Sequence, residues 1–206
     1  YEITYGDWSS DVCSSDLGCD AMKSLVIDTS SSRTTVGLFE GTSLIFAGHH
    51  DGATAHAEAL PKLVSQALHH SNVIDEVIVG MGPGPFTGLR AGIVFAQTFA
   101  HLRGIPWRGV CSLDGIDIDS EDYVVATDAR RNEIYWARYQ SGSRIDGPNV
   151  SKREILETLH LPIFGFSFTE ELFPSPHLLL ARSRTSEVDQ PMYLRRPDAL
   201  PTSERQ

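Results

Sequence analysis

The sequence reads as an α/β protein of two related lobes, the second one reduced, and three observations predict that class. Residues 23–103 follow the order strand, strand, strand, helix, strand, helix. The order restarts near residue 122, where DYVVATD (122–128) and EIYWARY (133–139) flank the polar turn ARRN, much as KSLVID (23–28) and TTVGLF (34–39) flank TSSSR. The first strand of each pair ends in an aspartate, Asp28 and Asp128. On this reading residues 22–118 form the first lobe, and 119–206 form a smaller second lobe with a Pro-rich tail.

Each element has a local reason. The two strands of the first pair alternate or run apolar between polar turns, and LIFAGHH (44–50) adds a third, making an antiparallel meander. From His56 the period changes: Leu60, Leu63, Val64, Ala67 and Leu68 fall on one face of a helix. DEVIVGM (75–81) is short and apolar enough to be a strand buried on both faces. A second helix runs from Phe86 to Arg103 and is stopped by Gly104 and Pro106. After Gly142 the pattern weakens to a short helix over 151–158, a strand at PIFGF (162–166), and a helix near 176–183.

Composition excludes several classes. The 206 residues are 41% hydrophobic and 21% charged, which is ordinary for a globular protein able to build a core. Residues 1–21 hold five acids and no Lys or Arg, lack periodicity, and lack the basic and apolar regions of a signal peptide. They read as a non-native, disordered leader. The 22 acids and 17 basic residues of 22–206 leave the body at −5, a poor platform for unaided binding to a phosphate backbone. With Cys13 and Cys19 in the leader, Cys111 is left alone, which rules out a disulfide framework or a cysteine zinc site in the body. No apolar run approaches 20 residues, so a cytoplasmic protein is expected.

The stretch VGMGPGPFTGLRAGIVFA (79–96) invites a phosphate-cradle reading, because helix N-termini bind anions. Its residues argue otherwise. Pro83 and Pro85 have no N–H to donate, no lysine follows Gly88, and Gly82, Gly84 and Gly88 miss the dinucleotide spacing by one residue. Gly88, Gly92, Ala96 and Ala100 instead recur every fourth residue, a stripe along which another backbone can approach closely. Ile93, Val94, Phe95, Phe99 and Leu102 make the rest of that helix apolar, so it needs cover from its own sheet, from the 56–70 helix, from a partner, or from both.

Four motifs in order, LVIDTS (25–30), GPGPFTGLRAG (82–92), TDARRNEIYWARY (127–139) and PMYLRRPDA (191–199), resemble the TsaB (YeaZ-like) family over nearly all of residues 22–199. The resemblance implies an actin-like, sugar-kinase-type (ASKHA) fold with mixed sheets. It also implies a non-catalytic subunit beside the paralogue TsaD and the ATPase TsaE, with TsaC supplying the activated intermediate for threonylcarbamoyladenosine synthesis. tRNA would be met only through that complex, and ATP and a metal ion would be used by the partner subunits; covering the same helix face with a second copy is economical, so the free chain is expected to be a homodimer. The catalytic paralogue carries His-Leu-x-Gly-His, whereas this chain has Ser112-Leu113-Asp114-Gly115-Ile116, which removes both metal ligands. No metal site is expected, and His49, His50, His69 and His70 read as solvated pairs.

Asp28, Thr29 and Ser30, with Asp128, stand where actin-like ATPases keep their phosphate loops. FGFS (164–167) replaces the expected adenosine-binding glycine motif, so the cleft reads as vestigial. The resemblance assigns a partner interface to Leu60, Leu63, Val64 and Ala67 of the first helix and Gly88, Gly92, Phe95, Ala96, Phe99 and Ala100 of the second. Gly82, Pro83, Gly84, Thr87 and Arg90 then form the turn that aims this interface, with Thr87 a cap. Arg130, Arg131 and Glu133 make a charged hairpin tip, and Tyr193, Arg195 and Arg196 a tail able to dock on the body or a partner. The competing readings are an independent ATP-dependent enzyme of the same fold and a peptidase. The peptidase lacks any Ser/His/Asp or metal constellation.

Overall fold

The computed structural model describes residues 21–195, so the expected leader, apart from Ala21, and Arg196 lie outside the described residues. The first sheet contains β1 (Lys23–Asp28), β2 (Arg33–Glu40), β3 (Ser43–Asp51), β4 (Glu76–Gly80) and β5 (Trp107–Val110). Its order is β3-β2-β1-β4-β5. The three N-terminal strands form the expected antiparallel meander, and β4 and β5 join β1 in parallel. Parallel pairing needs crossovers. These are α1 (His56–His70), between β3 and β4, and α2 (Phe86–Arg103), between β4 and β5.

Strand alternation decides which helices cover which face. Leu25 and Ile27 of β1 point into a core shared with Leu60, Leu63, Val64 and Ala67 of α1 and Leu89, Ile93 and Ala96 of α2. Val26, between them in sequence, points to the opposite face, where Leu179 and Leu180 of α4 (Pro176–Arg182) cover it.

The second sheet repeats the plan. The strands β6 (Asp122–Asp128), β7 (Glu133–Gln140) and β8 (Ser143–Lys152) are antiparallel, and β9 (Ile163–Gly165) joins β6 in parallel after the short α3 (Arg153–Glu157). The order β8-β7-β6-β9 matches β3-β2-β1-β4, with no fifth strand among the described residues. The sheets are not independent. Cys111, Leu113 and Ile116, which follow β5, cluster with Tyr123, Val125, Ala137 and Tyr139 of the second sheet.

Two strands, β5 and β8, go beyond the sequence reading. The expected 151–158 helix shrinks to α3, because Ser151 and Lys152 pair with Ile134 and Glu133 to complete β8.

Candidate functional site

The parallel strands β1, β4 and β5 end together, and open α/β sheets place ligands beyond such carboxyl ends. Asp28 closes β1 there and is 1% exposed. Its Oδ1 accepts the Ser30 N–H at 2.9 Å and the Ser30 hydroxyl at 2.8 Å, and its Oδ2 accepts the Ser112 hydroxyl at 2.6 Å. Gly80, at the end of β4, makes room for this, since a side chain there would strike the Asp28 carboxylate and Ser112. Burial raises the Asp28 pKa against the three hydrogen bonds that lower it. The carboxylate is satisfied by its own loops.

The glycine loop fills the space beside it. Gly84 lies directly on the Ser30 carbonyl, and Gly82 takes φ +91°, open to glycine without strain. Thr29 Oγ1 donates to the Gly88 carbonyl at 2.8 Å. Across from Ser30, Asp128 accepts the Arg130 N–H at 2.7 Å and pairs with the Arg130 guanidinium at 3.3 Å. The structure thus brings Ser30, Pro85, Asp128 and Arg130 around one interlobe crevice, but the cavity there is only about 20 Å³. Small-molecule sites usually need about 300–1,000 Å³.

The small-residue stripe requires correction. Gly88, Gly92, Ala96 and Ala100 face inward, and both alanines are 0% exposed. A Cβ at Gly88 would come within 2.6 Å of the Thr29 carbonyl, and one at Gly92 would strike Thr29 Oγ1. The glycines let α2 cross the Asp28–Ser30 turn. Leu60, Leu63, Val64 and Ala67 are buried in the same core, while Phe95 and Phe99 are half-buried and stack at 6.0 Å. Thr87 is not a cap either: α2 begins after Pro85 and carries no side-chain cap bond.

What the two helices leave outside is a different surface. Ala57, Pro61, Arg90, Ala91, Val94, Phe95 and Thr98 line a groove of about 510 Å³ floored by Leu60 and ending at Thr87. Val94 is 54% exposed, and at the start of α2 Phe86 is 49% exposed. Of the residues expected at an interface, only Leu60 and Phe95 reach this groove. Arg90 sits over the Phe86 ring at 5.2 Å, and Tyr193 packs on Phe86 at 4.8 Å.

The tail docks on the body through Tyr193 and Arg195. Arg195 reaches the Ala129 carbonyl at 3.2 Å and Glu133 at 3.4 Å. Arg130, Arg131 and Asn132 all take positive φ (66°, 52°, 61°), so the charged hairpin tip is a tight left-handed run. His49, His50, His69 and His70 are exposed. Among the described residues, no group of three or more His, Cys, Asp or Glu could hold a metal ion, and no helix is long and apolar enough to cross a membrane.

Sequence reasoning passed over His56. It is 4% exposed, with Nδ1 2.8 Å from the Thr34 hydroxyl and Nε2 against Gly88. Burial first, and then His50, lower its pKa. The available signal was its place four residues before Leu60 and seven before Leu63, on the apolar face.

Two sheets of one order, each closing its first strand with an aspartate, give a duplicated actin-like α/β fold, here with a crevice of only about 20 Å³. A family model described as TsaD: tRNA N6-adenosine threonylcarbamoyltransferase matches residues 50–160. The chain belongs to this family, and proteins named TsaB in Escherichia coli and Bacillus subtilis are among its relatives. An uncharacterized protein of Mycobacterium leprae is 39% identical over 200 residues, covering 86% of this chain and 56% of that protein. The tRNA threonylcarbamoyladenosine biosynthesis protein TsaB of Escherichia coli K12 is 32% identical over 130 residues, 58% of this chain and 55% of that protein. The chain thus spans about half the length of these two relatives. YeaZ from Pseudomonas aeruginosa shares the fold with a TM-score of 0.63 at 24% identity, over 84% of this chain and 100% of that one.

Proposed function

We propose that this chain is a non-catalytic subunit in the synthesis of threonylcarbamoyladenosine next to the tRNA anticodon, and that the outer groove between α1 and α2 docks a TsaD-like catalytic subunit. The observation that carries the reading is a contrast of two concavities: about 510 Å³ of mostly apolar groove on the helices against about 20 Å³ in the crevice where an actin-like enzyme works. Exposed apolar area on a helix pair is what a partner covers. The naming of its relative from E. coli as a TsaB protein supports the pathway. On this reading ATP and metal chemistry belong to TsaD-like and TsaE-like partners, tRNA is met only in the assembly, and the work is cytoplasmic. A second copy covers the same groove when the chain is alone, because an isologous dimer reuses one patch.

Size-exclusion with light scattering on the chain, alone and mixed with its cognate TsaD-like subunit, tests this. The expected result is a homodimer that exchanges for a heterodimer, together with threonylcarbamoyladenosine synthesis that depends on adding the chain. A strict monomer under both conditions contradicts it. The competing ATP-dependent enzyme predicts magnesium-ATP binding in calorimetry that Asp28→Ala abolishes; the scaffold reading predicts little heat.

A further inference from the structure

The stretch Ser112–Ile116, which departs from the metal-binding pattern of the catalytic paralogue, has work that the docking reading does not use. Ser112–Gly115 forms a 3-10 turn directly after the first sheet, and Asp114 in that turn is only 7% exposed. Its Oδ1 accepts the Tyr139 hydroxyl at 2.8 Å and Arg144 Nε at 2.8 Å, and its Oδ2 lies 3.3 Å from Arg144 Nη2. Both donors belong to the second sheet, Tyr139 to β7 and Arg144 to β8.

The donors are themselves fixed. Tyr139 is 1% exposed and stacks on Tyr123 at 5.4 Å, and Arg144 Nη1 donates to the Gly147 carbonyl at 2.7 Å. Cys111 lies beside Asp114, and burial followed by that carboxylate pushes its thiol up to about 12, so it adds no second anion. Other contacts tie the same halves: the Tyr135 hydroxyl donates across to the Gly84 carbonyl at 3.3 Å, and Arg182 Nη2 on α4, the helix that covers the first sheet, donates to the Gly142 carbonyl beside β8 at 2.5 Å. Separating the lobes would break these charge-assisted hydrogen bonds and expose the apolar cluster around Tyr139 to water. Hinge closure around a ligand needs an interface that lets go.

We propose that Asp114, Tyr139 and Arg144 form an interlobe lock that holds the crevice shut, so that the two lobes move as one body and the reduced second lobe braces the first. The lock does not depend on what the α1–α2 groove binds.

The test is a pulsed dipolar distance measurement on the full chain with Cys13 and Cys19 replaced by Ser. Spin labels go on Thr42→Cys in the first lobe and Glu154→Cys in the second, both exposed, diluted with unlabelled chain so that only intramolecular pairs report. The expected result is one narrow distance distribution, unchanged by magnesium-ATP. Arg144→Gln, which leaves the Tyr139 bond and the core in place, broadens it, and Asp114→Asn adds a longer-distance population. A broad distribution in the parent chain, or a narrow one that survives both substitutions, overturns the lock.

Discussion

Asp28 and Asp128 close equivalent strands of the two sheets, and each accepts the backbone N–H two residues further on, from Ser30 at 2.9 Å and from Arg130 at 2.7 Å. The same short turn is built twice, which is how an aspartate after a strand ordinarily folds its loop. Burial separates the two. Asp28 is 1% exposed and also holds the hydroxyls of Ser30 and Ser112, whereas the Asp128 side chain is 24% exposed and pairs with Arg130. The first aspartate organises the core end of the sheet, and the second organises a surface hairpin.

Asp28→Asn and Asp28→Ala should therefore part company. Burial raises the Asp28 pKa, so the charged form is the costly one. Asn is neutral, keeps an acceptor for Ser30 and can donate to the Ser112 hydroxyl, so its thermal midpoint is expected at or above that of the parent chain. Ala leaves the buried Ser30 and Ser112 donors unpaired and is expected to cost about 1–3 kcal/mol in urea unfolding. Equal losses for Asn and Ala would contradict the turn-organising role.

Gly92→Ala and Ala96→Leu should damage the isolated chain. The first puts a methyl onto Thr29 Oγ1, and the second adds bulk at a position 0% exposed. Overpacking of this kind typically costs about 1–3 kcal/mol. Unchanged melting of both variants would return the stripe to the surface.

His56 gives a signed pH dependence. Its folded pKa lies below the ordinary 6.5, so below that value the unfolded chain binds a proton that the folded chain resists. Its contribution to stability is complete above 6.5 and is lost as pH falls through 6.5 toward the folded value. Urea midpoints measured from pH 8 to 5 should fall in the parent chain, and His56→Gln should flatten that part of the profile. A midpoint that rises over the same window contradicts the assignment.

The hairpins, the two crossover helices and the repeated plan were legible because apolar periods of 2 and 3.6 survive in them and the turns carry Gly, Pro, Ser and Asp. β8 was not, because SRIDGPNVSK is an edge strand with little apolar alternation, interrupted by Gly147–Pro148, and only pairing with β7 defines it. The orientation of α2 was also hidden. A helix buried in its own core and one covered by a partner share a pattern, and what decides here is Thr29, which fills the space above Gly88 and Gly92. The filling of the space beside Asp28 rests on Gly84 meeting Ser30, a contact between residues 54 positions apart that no local pattern records.

On the proposed function, the outer groove of α1 and α2, not the crevice, carries the activity. The most direct measurement uses Val94→Glu, placed at a residue that is 54% exposed and lines the groove. An exposed substitution of this kind normally changes folding stability by no more than about 0.5 kcal/mol. Melting of the isolated variant is compared with its co-elution with the cognate TsaD-like subunit and with threonylcarbamoyladenosine synthesis. The account predicts an unchanged melt together with loss of both co-elution and synthesis. An unchanged melt with undiminished pairing would contradict it.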